Sequence, residues 1–193
     1  MIDPASLRRH RRFRFPVLSD RRGAAIVEFA LVAAPFLALL LAILLTSLAY
    51  LAQEALETTV EAAARNIVTG RTQSGDVQGS NAGMTKAELA ERFRKTGCAA
   101  LPPFMSCDRL YVDVQSAATG NALAHNIPHL TCDTAGRLIN SFSYDVGTQG
   151  SLVMVRFFYV WPMPVAPNID LSLPGNGQTI LVATSVSKSE AYL

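Results

Sequence analysis

The sequence predicts an α+β protein: a long N-terminal helix that crosses a membrane, then a small domain of one or two helices packed on an antiparallel sheet of about three strands. Three observations carry this. Phe29 to Ala52 is a run of 24 residues without a charged side chain. Beyond it the charges and apolar residues keep helical spacing as far as Ile67. Past Arg109 the apolar pattern changes to a period of two or to β-branched and aromatic runs, which is the pattern of strands.

Residues 1–23 read as a basic cytoplasmic leader. Arg8, Arg9, Arg11, Arg12, Arg14, Arg21 and Arg22 stand against Asp3 and Asp20, a net charge of +5. The whole chain carries +2, so the other 170 residues sum to −3. Cationic residues just before an apolar span hold that end in the cytoplasm, which puts everything after Ala52 outside it. Nucleic-acid binding by "RRHRRFR" would need an accompanying domain that a short tail lacks. A cleaved secretory signal fits no better, because its apolar core usually has only about 7–15 residues.

At about 1.5 Å per residue the uncharged run gives roughly 36 Å of helix, more than a hydrocarbon core of about 30 Å requires. The helix continues past the span 29–52. Glu54, Glu57, Glu61 and Arg65 recur at helical intervals along one face, and Leu56, Val60, Ala63, Ala64 and Ile67 form an apolar flank. Gly70 is a natural stop, so the sequence predicts one helix over 24–69, with Pro35 interrupting its hydrogen-bond ladder near the cytoplasmic end.

Residues 70–84 are polar and glycine-rich, the composition of a linker. An extracytoplasmic α+β domain then occupies 85–193. Its helix opens with Thr85 as N-cap and Glu88 three residues on, with Met84 and Leu89 placed as a hydrophobic staple. Leu89, Ala90 and Phe93 form its expected buried stripe, and Gly97 its expected stop. "RLYVDVQSA", "SLVMVRFFYVWP" and "QTILVATSVSKS" read as the three strands, the middle one ended by Pro162, Pro164 and Pro167.

The chain shows no glycine-rich phosphate loop, nucleophile elbow, paired-carboxylate motif or zinc-binding helix, so it reads as a non-enzyme without a cofactor. His125, His129 and Cys132 have helical metal-ligand spacing, but Pro128 breaks that helix and spacing suggests no fourth ligand; the expectation is no metal site. A compartment outside the cytoplasm permits disulfides. The short loop "AALPPFMS" favours Cys98 with Cys107, leaving Cys132 outside the pair, over other pairings or three buried thiols. Glu28 is the singular feature of the apolar segment. A carboxylate there costs a few kcal/mol on insertion scales and marks function by default. The plainer alternative is an interfacial residue solvated by headgroups and the nearby arginines.

Arg21-Arg22-Gly23, then "AAIVEF", then a long apolar helix, resembles the processing site of type IV prepilins: a basic leader, a glycine before the scissile bond and glutamate as fifth residue of the mature chain. With "GSLVMVRFFYVWP" and the ending "ILVATSVSKSEAYL", the chain is similar to the TadE-like minor pseudopilins of the tight-adherence (Tad, or Flp) pilus, which typically end in a strand followed by a glutamate and an aromatic residue. Phe29 stands where tyrosine is common, and no proline separates Glu190 from Tyr192; neither touches the cleavage chemistry.

The resemblance implies cleavage after Gly23, Ala24 as new N-terminus, and Glu28 paired in the assembled filament with the terminal amine of an adjacent subunit. Small residues at Ala24, Ala25, Ala30, Ala33, Ala34 and Ala38 would let helices approach closely. The implied partners are the inner membrane, a prepilin peptidase, other pilins and pseudopilins, and the Tad assembly machinery, with no nucleic acid. The implied place is a single-pass inner-membrane protein with its C-terminal domain in the periplasm, incorporated into the pilus. So large a domain after the helix points to a minor subunit acting at initiation or at the tip, supporting adhesion. The rival reading is an uncleaved, single-pass periplasmic scaffold or envelope-binding protein.

Overall fold

The computed structural model describes residues 23–77, 79, 81–124, 128–133, 135–162 and 179–190. The leader arginines, His125, Pro164, Pro167 and Tyr192 lie outside the described residues. The chain divides into two compact units, Met1–Thr46 and Ser47–Leu193.

Helix α1, Ala24–Val68, is continuous through Pro35. In the first unit its apolar side chains face outward: Ile26, Phe29, Leu31 and Val32 are each at least 70% exposed. A helix that is apolar all round and uncovered is suited to lipid or to other helices rather than to water. It is also long and apolar enough to cross a membrane.

In the second unit α1 changes character. Ala52, Leu56, Val60, Ala63 and Ile67 are buried along one stripe, while Glu54, Glu57, Glu61 and Arg65 stay exposed. The stop is the expected glycine. Gly70 has φ of 73°, a conformation that strains any residue with a Cβ, and its N–H donates to the Ile67 carbonyl at 3.0 Å.

The stretch 70–84 is less of a linker than its composition suggests, since Arg71–Val77 forms a short helix, α2. Local propensity does not explain it; Gln73 does. Its side chain is buried and Nε2 donates to the Val146 carbonyl at 3.0 Å, a tertiary tie that no local pattern encodes.

Helix α3, Lys86–Ala99, has the full capping box: Glu88 N–H donates to Thr85 Oγ1 at 3.3 Å, and Thr85 N–H to Glu88 Oε2 at 2.7 Å. The bond from the Thr85 N–H, and after it one from the Thr85 hydroxyl to Glu88 Oε2 at 2.8 Å, hold the Glu88 carboxyl below its usual range. Its buried residues are Phe93, Gly97 and Cys98; Leu89 and Ala90 are only partly covered. Gly97 does not end the helix. It is there because a Cβ would lie 2.8 Å from Cε2 and Cζ of the buried Phe157 ring. In an exposed helix, alanine would gain about 1 kcal/mol over glycine, but overpacking a core costs about 1–3 kcal/mol. Gly97→Ala should therefore destabilise by roughly 1 kcal/mol net, and Gly97→Val by more. Thermal unfolding of the variants measures this, and a raised melting temperature for Gly97→Ala would contradict the packing account.

The strands are β1 (Leu110–Ala117), β2 (Leu152–Trp161) and β3 (Thr179–Lys188), with a short helix α4 (Gly120–Ala124) after β1. They form one antiparallel sheet in the order β1-β2-β3. On one face Val153, Val155, Phe157 and Tyr159 of β2, with Leu110 and Val114 of β1, share a core with the α1 stripe and Phe93. On the other face Phe158 and Val160 pack with Leu138, Leu130 and Phe142. The central strand is thus covered on both sides, which is why its sequence is apolar at every position but Arg156. The alternation in β3 has a different outcome: Val182 and Val186 are 40% and 56% exposed, and the buried residue is Ala183 on the helix side.

Candidate functional site

Gly23 is exposed and immediately precedes α1; among the described residues, beyond its own helix and chain neighbours, nothing lies within 4 Å of the place a Cβ would occupy. Ala24 is the first residue of the helix, and Glu28 follows four residues later, about one turn along on the same face. Both are exposed. The peptide between residues 23 and 24 therefore sits at an open helix start, and the Glu28 carboxylate projects from the side of the helix among exposed apolar groups.

In the second unit, Cys98 near the end of α3 is bonded to Cys107, with Cα atoms 5.5 Å apart. Two further ties hold the intervening loop. Arg94 Nη1 donates to the Cys107 carbonyl at 2.7 Å, and Ser106 N–H donates to the Tyr159 hydroxyl at 2.8 Å. By the chain-entropy argument a cross-link over so short a loop stabilises by roughly 2–3 kcal/mol. Replacing both cysteines by serine should lower the unfolding free energy by about that amount. A non-reducing digest of protein taken from the envelope should yield one linked peptide pair containing Cys98 and Cys107; two separate alkylated peptides would contradict the bond.

Sequence reasoning missed the buried ion pair. Asp113 on β1 and Arg156 on β2 stand directly opposite in the sheet, at 2% and 5% exposure. Arg156 Nη2 and Nε donate to Asp113 Oδ2 at 2.7 and 3.1 Å. Asp113 also accepts from Gln115 Nε2 at 2.9 Å and from Ser143 N–H at 2.8 Å. The available signal was a single charge inside each of two strands, "YVDVQ" and "VMVRFFY".

A cleft of about 200 Å³ lies between α2, α3 and Tyr144, with Arg71, Asp76, Asn81, Arg92 and Phe93 in its walls. Tyr144 Oη donates to Asp76 Oδ2 at 2.9 Å and Asn81 Nδ2 to Oδ1 at 3.2 Å. Burial first, then the bond to the Asp76 carboxylate, raises the Tyr144 phenol far above its ordinary range, so it stays a donor and fastens α2 to the segment beside β1. Among the described residues no group of three or more His, Cys, Asp or Glu side chains is placed to hold a metal ion.

Residues 23–65 match the TadE-like protein family. The TadE-like segment begins at Gly23 and covers most of α1, 43 of the 193 residues. The match covers less than half of the chain, and the helix on which it falls is long and apolar enough to cross a membrane. All three strands lie outside the matched residues, including the stretch from Ser151 on which part of the resemblance rests. No curated protein and no solved structure matches the chain.

Proposed function

We infer that this TadE-like chain is a minor pseudopilin, cut after Gly23 by a prepilin peptidase and drawn from the inner membrane into a Tad pilus, where it serves initiation or the tip and supports adhesion. The observation that carries the reading is the start of the family match at Gly23, the residue after which cleavage is expected. The uncovered apolar surface of α1 over 24–46 supports it, because such a helix suits first lipid and then a bundle of like helices. In that bundle the Glu28 carboxylate pairs with the Ala24 amine of a neighbouring subunit and sets the axial register. The leader stays in the cytoplasm and the domain at 85–193 lies in the periplasm.

Sequencing the N-terminus of protein purified from cells is the direct test. The expected chain starts at Ala24 and has 170 of the 193 residues. An uncleaved periplasmic scaffold would keep its leader. Gly23→Phe should leave only the full-length form, since the new side chain obstructs the peptidase; normal maturation of that variant would place the site elsewhere.

A further inference from the structure

The second unit begins at Ser47, well before the uncharged run of α1 ends at Ala52. Ala52 itself is fully covered by the domain. Two contacts fix how β3 and the residues just after it lie along this part of α1. Gln53 Nε2 donates to the Val182 carbonyl at 3.0 Å, and Glu190 N–H donates to the Val68 carbonyl at 3.2 Å. β3 and α1 therefore run in the same direction here.

Fifteen helix residues, roughly 22 Å, match eight extended residues, roughly 27 Å, so the strand is inclined to the helix. Going back from Val182 to Thr179 adds three strand residues, about 10 Å, or about 8 Å measured along α1. That reaches the level of about Ser47 or Leu48. Trp161 stands directly opposite Thr179 in the sheet and is partly buried in the core that α1 shares. Tyr50, on the helix at this level, is 71% exposed.

We propose that the Trp161–Thr179 end of the sheet, together with Tyr50, is seated in the headgroup layer of the membrane that α1 crosses. The hydrocarbon span is then Phe29–Leu48, not the whole run to Ala52. The lengths agree: 20 residues give about 30 Å of helix, the thickness of the hydrocarbon core, and the headgroup region adds roughly 5–7 Å on each side. The chemistry agrees as well, since tryptophan and tyrosine are the residues enriched at that depth. The proposal rests on the membrane-anchor reading of α1 and not on pilus incorporation.

Trp161 is the chain's one tryptophan, so its emission reports this site without any substitution. The full chain is placed in phosphatidylethanolamine–phosphatidylglycerol vesicles that carry either a nitroxide on the headgroup or bromines near the acyl-chain end. Two reporters bracket the depth in a Trp161→Phe background: Leu40→Trp inside the span and Val186→Trp toward the other end of β3. The expected result is loss of Trp161 emission with the headgroup label and little loss with the deep label, loss at position 40 with the deep label, and neither loss at 186. Deep quenching at position 40 with no headgroup quenching of Trp161 would overturn the seating and leave the anchor intact. No lipid quenching at any position would overturn both.

Discussion

Glu28→Gln should leave insertion and cleavage untouched and take the protein out of the pilus. The arginine leader and Gly23 are intact in this variant, so orientation and processing have what they need. Under the proposed function, the difference arises when α1 leaves the lipid for a dry helical bundle, where the neighbour's ammonium would face a neutral amide. Breaking one side of a buried ion pair costs on the order of 3–5 kcal/mol. At tenfold per 1.4 kcal/mol, incorporation should fall by roughly a hundredfold or more. An interfacial anchor behaves differently, because an amide is polar enough to be solvated among headgroups, and the variant would then be silent. The measurement is pilus number beside the amount of mature protein in the inner membrane. Few pili with a full membrane pool supports the pairing, and normal piliation sinks it.

Asp113→Asn should be the most damaging conservative change in the domain. The amide keeps the shape and can still accept a hydrogen bond, but it removes the carboxylate charge that lies against the Arg156 guanidinium, which is at 5% exposure. The expected loss is about 3–5 kcal/mol, a large share of the 5–15 kcal/mol that usually holds a domain folded. Denaturant unfolding of the detergent-solubilised full chain, followed by Trp161 emission, reads it as a shifted midpoint. The double variant Asp113→Leu with Arg156→Met should recover much of that loss, because apolar residues of similar volume often replace a buried pair at little cost. A loss below about 1 kcal/mol in Asp113→Asn would mean that other partners, not the carboxylate charge, hold Arg156 in place.

What was legible in the sequence was whatever has a local cause. The uncharged run, the Thr85–Glu88 capping box, Gly70 and the β-branched runs each act through neighbours a few residues away, and each appears as read. What was illegible has a distant cause. Helix α2 depends on Gln73 reaching a carbonyl 73 residues away, so composition alone returned a linker. Gly97 was read for its backbone freedom when its function is the missing Cβ against Phe157, a ring 60 positions further on. Val182 and Val186 kept the alternation of a half-buried strand, but the cover on that face gathers over Phe158 and Val160 and leaves these edge residues open. At the candidate site, Gly23, Ala24 and Glu28 could be singled out because they stand within six residues of one another, and they lie inside the matched segment; their roles are proposals. The Asp113–Arg156 pair was not, since a lone charge in a strand does not name its partner.

The fastening of β3 alongside α1 has a mechanical consequence. Gln53 with Val182 and Val68 with Glu190 tie helix and strand at two points roughly 22 Å apart, with the Leu56–Ile67 stripe packed between them. Tension applied along α1 therefore loads this seam in shear, and the contacts must yield together instead of peeling one after another from an end. A molecule that is pulled by its helix, whether by an extraction motor or by drag on a filament, meets that load with its whole core. The domain cannot be stripped from the helix and survive, because the helix supplies one wall of that core.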